Sequence, residues 1–271
     1  MKIGFIGAGN MASAIIEGIL QQHFSHPQDI YLYDISIEKA QSFAKQKEIQ
    51  AVADLQALIQ KVDTVILAVK PNIVQEVLLA AKKTILETQP LIVSIAAGTS
   101  TETLYENFQT SEAVRIIRVM PNMNAMVGSG AAAVCKNEYA SEKDLKTIVD
   151  LFNAVGKAWP LEEKYFSIFT AIAGSSPAYT FLFIDSIARA AVKNGMPKDL
   201  ALEIATQAIL GSAETLADSQ ENPWTLIDRV SSPGGTTVAG IVELENNAFI
   251  STVIKGIDAT IQKDQELNKK D

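Results

Sequence analysis

The chain is poor in the residues on which most side-chain chemistry depends. Its 271 residues include one cysteine, Cys135, and two histidines, His23 and His26. A lone cysteine can neither close an internal disulfide nor build a cysteine-rich zinc site, and no metal site is expected. Cys135 lies in the apolar run 131–135 and reads as a small buried strand residue rather than a nucleophile. Both histidines fall in the polar stretch 21–29, between a predicted helix and the second predicted strand. In a doubly wound sheet such a loop lies at the edge opposite the ligand crevice, so neither histidine is placed to be a catalytic base. Basic blocks are missing as well. The 23 Lys and Arg stand against 31 Asp and Glu, for a formal charge of −8, and no cationic run is long enough to follow a phosphate backbone, so no nucleic-acid partner is expected. One stretch, 165–184, carries no charge, but Gly174-Ser175-Ser176-Pro177 breaks its middle, so a buried helix pair is expected and no membrane span. The first strand begins at once, leaving no room for a signal or transit peptide, and a cytoplasmic protein is expected.

What is present is an opening, residues 2–20, that reads KIGFIGAGNMASAIIEGIL. A short apolar strand over 3–6 runs through a glycine-rich turn into an apolar helix over 11–20. The turn comprises Ile6, Gly7, Ala8, Gly9, Asn10, Met11 and Ala12. Gly7 permits a tight turn, Gly9 lets backbone approach a pyrophosphate, and Ala12 is small enough for the helix to pack on the strand. Phosphate then sits at the helix N-terminus, and the pattern predicts a nicotinamide or flavin nucleotide site. Asp34 ends the second strand, 30–33, at 25 residues after Gly9. At that offset an acidic side chain accepts hydrogen bonds from the adenosine ribose hydroxyls and repels a 2′-phosphate. The alternative makes Asp34 a cap for the helix 35–47, a task for which Ser36 competes.

Further strands are predicted over 64–69, 91–95, 114–119, 129–135 and 157–161, with a helix over 141–154. The strand ending at Ala68-Val69 meets Lys70-Pro71, where proline suits a helix start. The next runs into Ala96-Ala97-Gly98, small enough for a flat ring to lie against, and the next into Met120-Pro121-Asn122. The fold class expected is α/β, a Rossmann-type doubly wound, mostly parallel sheet followed by an all-helical domain. With 48% hydrophobic residues the chain is large enough for both. The boundaries expected are 1–161 for the nucleotide-binding domain and 162–271 for the helical one. Its helices are predicted over 165–194, bent near Pro177, then 198–219, 223–230, 236–246 and 248–267, with a polar, frayed tail over 262–271. So many apolar helix positions make a poor closed core, and a second subunit would cover them.

In the helical half, Ser231-Ser232-Pro233-Gly234-Gly235-Thr236-Thr237 leads into a helix and exposes backbone N–H groups suited to a small carboxylate. The plain alternative is a helix connection capped by Thr236. A second loop, Gly174 to Tyr179, reads equally well as a helix break.

Five segments together, GFIGAGNMA, AVKP (68–71), SIAAG (94–98), AGSSPAY (173–179) and SPGGTT (232–237), resemble pyrroline-5-carboxylate reductase over nearly the whole chain. The resemblance implies reduction of the cyclic imine 1-pyrroline-5-carboxylate to proline with NADPH or NADH. It also implies an N-terminal Rossmann domain and a helical dimerisation domain, with dimers often assembled further. By the same resemblance Gly7 to Ala12 hold the pyrophosphate and Ala68, Val69, Lys70 and Pro71 line the cofactor. Ala96, Ala97, Gly98, Pro121 and Asn122 border the nicotinamide. Ser232, Pro233, Gly234, Gly235 and Thr236 hold the substrate carboxylate, with the Thr237 hydroxyl as the catalytic group near the ring nitrogen and Ser176 lining the pocket. Two departures stand out: many members read PNTPA where this chain has Pro121-Asn122-Met123-Asn124-Ala125, and many have a short polar residue in place of Asp34. A 3-hydroxy acid dehydrogenase shares the layout, but its resemblance calls for a lysine about a turn after the glycine that opens the interdomain helix, and none occurs before Lys193. A nucleotide-sensing protein without turnover is the other rival, against which the SPGGTT loop argues.

Overall fold

The first strand, β1 (Ile3–Ile6), is buried at every position, as befits a strand covered on both faces. The computed structural model describes residues 1–268. After β1 come α1 (Asn10–Gln21), β2 (Ile30–Tyr33), α2 (Ile37–Lys47), β3 (Gln50–Ala51), α3 (Leu55–Ile59), β4 (Thr64–Leu67), α4 (Pro71–Thr88) and β5 (Leu91–Ser94). Then follow α5 (Thr101–Glu106), β6 (Ile116–Pro121), β7 (Gly130–Lys136), α6 (Glu142–Phe152) and β8 (Gly156–Pro160). They form one sheet in the order β3-β2-β1-β4-β5-β6-β7-β8. Neighbours pair in parallel except β6 with β7, which are antiparallel. The chain order reverses at β1, which has β2 on one side and β4 on the other. That switch point is where an open α/β sheet forms its ligand crevice, outside the carboxyl ends of the strands.

Successive residues of each strand divide between two cores, as a period of two requires. Phe5, Ile66, Val93 and Ile117 join one with Ile15, Ile16 and Phe152; Ile6, Leu67, Ile92 and Ile116 join the other with Leu58, Leu78 and Phe108. The short elements β3, α3 and α5 are absent from the sequence expectation because segments this brief show no periodicity. Side-chain caps hold the two helices instead: Asp54 accepts from the Ala57 N–H at 2.8 Å and Ser100 from the Thr103 N–H at 3.0 Å.

After β8 the chain is helical: α7 (Phe166–Phe169), a π-helical stretch (Thr170–Ser175), α8 (Ser176–Lys193), α9 (Lys198–Asp218), α10 (Pro223–Val230), α11 (Thr236–Asn246) and α12 (Phe249–Asn268). The bend expected near Pro177 takes the form of the π-helical widening. Proline has no N–H to give the carbonyl four residues back, that of Ala173. The Asn122 amide donates to that carbonyl instead, at 3.0 Å.

By packing, the chain divides into two units, Met1–Gly174 with the stretch from Ile261 on, and Ser175–Thr260. Strand–helix alternation ends with β8 at Pro160, one residue before the expected boundary, yet Phe166 and Phe169 still pack with Ala133 and Cys135 beside the sheet. Secondary structure and packing therefore change at different places. The frayed tail is corrected: residues 262–268 continue α12, with Gln262 donating to Glu266 at 3.2 Å and Lys263 paired with Glu266 at 3.4 Å. The remainder of that expectation, 269–271, lies outside the described residues. The helical run Glu163–Lys193 is long and apolar enough to cross a membrane by length and composition, and 22% of its most apolar window is buried within the single chain.

Candidate active site

The glycine-rich turn sits at the switch point of the first unit. Gly7 has φ +106°, and a Cβ there would lie 2.5 Å from the Ala68 carbonyl oxygen, so both its backbone angle and its surroundings demand glycine. Its N–H donates to the Tyr33 carbonyl at 2.8 Å and the Ala68 N–H donates to the Ile6 carbonyl at 2.9 Å, which together hold the ends of β1, β2 and β4 around the turn. Gly9 is different. As the N-cap of α1 it has φ −77°, open to any residue, and a Cβ there would meet no protein atom within 4 Å. The fold itself has no need of glycine at this position. What the missing side chain leaves is a cradle over the first turn of α1, where the N–H groups of Asn10, Met11 and Ala12 have no intrahelical acceptor and no side chain caps them. Such a cradle fits a pyrophosphate. Ala12 is 1% exposed and packs in the core beneath it.

Asp34 is tied to this turn. Its Oδ2 accepts from the Ala8 N–H at 2.7 Å and its Oδ1 from the Ser36 N–H at 2.9 Å. Ser36 occupies the N-cap position of α2 without a side-chain cap bond, so neither residue caps that helix with its side chain.

Along the same edge Ala68 and Val69 follow β4, Lys70 is the N-cap of α4, and Pro71 is its first residue. After β5 the Ala96 N–H donates to Ser94 Oγ at 3.3 Å and Gly98 turns the chain at φ +76°. Pro121 ends β6. Asn122, 5% exposed, spends its side chain on the protein: Oδ1 accepts from the Ala131 N–H at 3.0 Å and Nδ2 donates to Ala173. The turn, Asp34 and the ends of β4, β5 and β6 thus share one edge of the first unit.

An ion-pair hub is missing from the sequence expectation. Glu163 accepts from the Arg118 guanidinium at 2.9 Å and from the Thr101 N–H and hydroxyl at 2.8 and 2.7 Å, while Arg118, 7% exposed in its side chain, lies 4.5 Å over the Phe166 ring. An arginine inside the apolar run 116–119 was the available signal, since a buried charge requires a partner. Burial first, and then the negative charge of Glu163, push the nearby Cys135 thiol from 9.0 up to about 12, far from the range of a reactive cysteine.

The remaining predicted residues lie in the second unit. Gly234 turns at φ +66°, and a Cβ on Gly235 would lie 2.4 Å from Ser232 Oγ. The N-cap of α11 is Gly235, with no side-chain cap bond. The expectation that Thr236 caps the connection is therefore corrected, because Thr236 is already the first helical residue. Thr236 and Thr237 are exposed in the first turn of α11, and Ser232 and Pro233 are exposed in the loop before it. The Ser231 hydroxyl is buried without a hydrogen-bond partner among the described residues. Ser176 lines an apolar cleft of about 710 Å³ with Tyr179, Phe183, Leu216, Phe249 and Val253. Among the described residues no cluster of His, Cys, Asp or Glu is arranged to hold a metal ion.

A switch-point crevice with an uncapped helix N-terminus and a glycine the fold does not require, followed by a helical unit, defines the class: a protein with a dinucleotide-binding type of sheet and a separate helical unit. Comparison with known proteins narrows it. A family profile described as pyrroline-5-carboxylate reductase dimerisation matches residues 163–267, and one described as NADP oxidoreductase, coenzyme F420-dependent, matches residues 2–98. A Glycine max protein named pyrroline-5-carboxylate reductase is 38% identical over 98% of this chain and 96% of its own length. The solved pyrroline-5-carboxylate reductase of Coxiella burnetii superposes with a TM-score of 0.93 at 31% identity over 98% of both chains. The Plasmodium falciparum pyrroline carboxylate reductase, solved with NADP bound, gives 0.86 at 34% identity over 99% of this chain and 98% of that one. The chain belongs to the pyrroline-5-carboxylate reductase family.

Proposed function

We propose that the protein reduces 1-pyrroline-5-carboxylate to L-proline with NADPH or NADH, as a cytoplasmic enzyme of proline biosynthesis that acts as a homodimer able to assemble further. The observation that carries this reading is a relative named pyrroline-5-carboxylate reductase that is 38% identical over 98% of the chain, with the family's dimerisation profile spanning the SPGGTT loop. Residues 1–161 form the nucleotide domain and 162–271 the dimerisation and substrate domain. A reduced nicotinamide held by the first of these would supply the hydride that the imine carbon accepts, leaving the oxidised cofactor.

The chain's own residues supply position. In the turn from Gly7 to Ala12 the uncapped backbone N–H groups of Asn10, Met11 and Ala12 hold the pyrophosphate, and Ala96 to Gly98 present a face without bulky side chains to the ring. In the loop from Ser232 to Thr237, backbone N–H groups at the start of α11 hold the substrate carboxylate, and the Thr237 hydroxyl hydrogen-bonds at the ring nitrogen. A protonated imine already carries positive charge, so no strong acid is needed, consistent with two histidines that lie away from the crevice edge. Holding the reactants aligned and excluding water is the main contribution asked of the protein. A homodimer covers the apolar faces of α8 to α12, which also accounts for the apolar run Glu163–Lys193 without a membrane.

The test is spectrophotometric oxidation of reduced nicotinamide nucleotide on adding the imine, with proline identified as product. Nucleotide binding without imine-dependent oxidation would refute the activity.

A further inference from the structure

We infer that Asp34 makes the first unit selective for an unphosphorylated adenosine ribose, so that NADH is preferred over NADPH. The inference rests on the reading of the crevice as a nicotinamide nucleotide site. It would set this chain apart from the Plasmodium falciparum relative solved with NADP bound, although residues 2–98 match a profile whose description prints NADP.

The carboxylate is held at both ends. Ala8, 4% exposed, gives its N–H to Oδ2, and Ser36 gives its N–H to Oδ1. A carboxylate with one free oxygen could rotate aside for a phosphate. This one would have to break two bonds and leave the N–H of a buried residue in the glycine-rich turn unpaired. Each oxygen keeps further acceptor capacity, so the fixed carboxylate can take hydrogen bonds from the vicinal hydroxyls of a ribose. A 2′-phosphate in the same place would bring a second negative charge against it.

Residues 35–38, Ile-Ser-Ile-Glu, contain no cation, and in the first turn of α2 the acid Glu38 stands beside Lys39, so that turn adds no net positive charge. Ile35, directly after Asp34 and 93% exposed, offers an apolar side chain and no charge.

The experiment uses the full chain without imine, so that failure of the proposed activity and failure of this inference remain separate. Binding of ADP-ribose and of its 2′-phosphorylated form is measured by calorimetry, alongside NADH and NADPH. We expect the 2′-phosphorylated ligands to bind at least about tenfold more weakly, since like charges brought together are costly. In Asp34→Ser the ratio should move toward one, chiefly through tighter binding of the phosphorylated ligands. If Asp34→Ser does not fold, Asp34→Asn, which keeps an acceptor and removes the charge, carries the same reading. Equal or tighter binding of the 2′-phosphorylated ligands by the unmutated chain would overturn the inference, as would an unchanged ratio in the folded variant.

Discussion

The two units reach opposite states from similar apolar content. In the first, Phe5, Phe108, Phe152 and the isoleucines of α1 are fully buried. In the second, the buried side chains among the described residues of α8 and α9 are Pro177, Ala188, Ala201 and Ala205, and α10 and α11 bury none. Its large residues lie open instead: Phe181 is 54% exposed, Leu182 68% and Trp224 53%. A sheet wrapped by helices closes its own core, whereas these helices present apolar faces that a single chain leaves uncovered. Exposure on this scale marks a protein interface, in agreement with the dimerisation profile that matches 163–267. The first unit is therefore expected to be stable by itself, and the second to depend on a second copy.

The largest effect should come from breaking that dependence. Leu182→Glu places a charge on the most exposed large residue of α8. A buried, unpaired charge in an interface costs several kcal/mol, so the dimer should dissociate in sedimentation and imine reduction should fall by about a hundredfold or more. Nucleotide affinity should change little if, as proposed, the first unit alone holds the nucleotide. A variant that stays dimeric and active would remove α8 from the interface.

Next come the two glycines of the turn, which separate folding from binding inside the first unit. Gly7→Ala forces a Cβ to 2.5 Å from a backbone oxygen at φ +106°. It should destabilise the protein by about 2–4 kcal/mol, read from the melting temperature, and abolish nucleotide binding. Gly9→Ala meets no protein atom, so the melting temperature of the free protein should hold while nucleotide affinity falls by about tenfold or more. Equal loss of stability in both variants would mean that the Gly9 cradle serves the fold after all.

A smaller effect is expected at Thr237. Its hydroxyl lies beyond the N-cap Gly235 and does not cap α11. Thr237→Ala should leave the melting temperature and nucleotide affinity nearly unchanged and lower kcat/KM by ten- to a hundredfold, about 1–3 kcal/mol of transition-state stabilisation. A lowered melting temperature with normal turnover would return Thr237 to a purely structural part.

The same contrast explains what could be read from sequence. Helices α10 and α11 match their expected bounds to the residue, because Pro223 opens one and the Gly234-Gly235 turn opens the other. Within this chain neither helix buries a residue, and no local pattern specifies the contacts that would cover them. In the first unit the turn and Asp34 were legible because their spacing follows from one strand-turn-helix unit. The antiparallel entry of β7 and the link from Asn122 to Ala173 were not, since both join residues distant in sequence. Glu163 shows the middle case: Arg118 announced that a partner must exist without saying which acid it was.

The smallest expected effect is the absence of one, and it tests whether the first unit stands alone. Cys135 is buried on β7, and burial together with Glu163 holds its thiol at about 12 instead of 9.0. Alkylation needs an accessible thiolate, so iodoacetamide near neutral pH should not label the native protein. The folded state keeps this proton to higher pH than the unfolded state does. The resulting stabilisation is complete below about pH 9 and is lost as pH rises toward 12. Other groups titrate in that window, and the difference between the unmutated protein and Cys135→Ala isolates the cysteine. Labelling of the dissociated Leu182→Glu chain then gives the sharper result. If the first unit closes its own core, Cys135 remains as protected in the monomer as in the dimer. Rapid labelling of the monomer under native conditions would mean that the sheet, too, relies on the second copy, and the contrast between the units would fail.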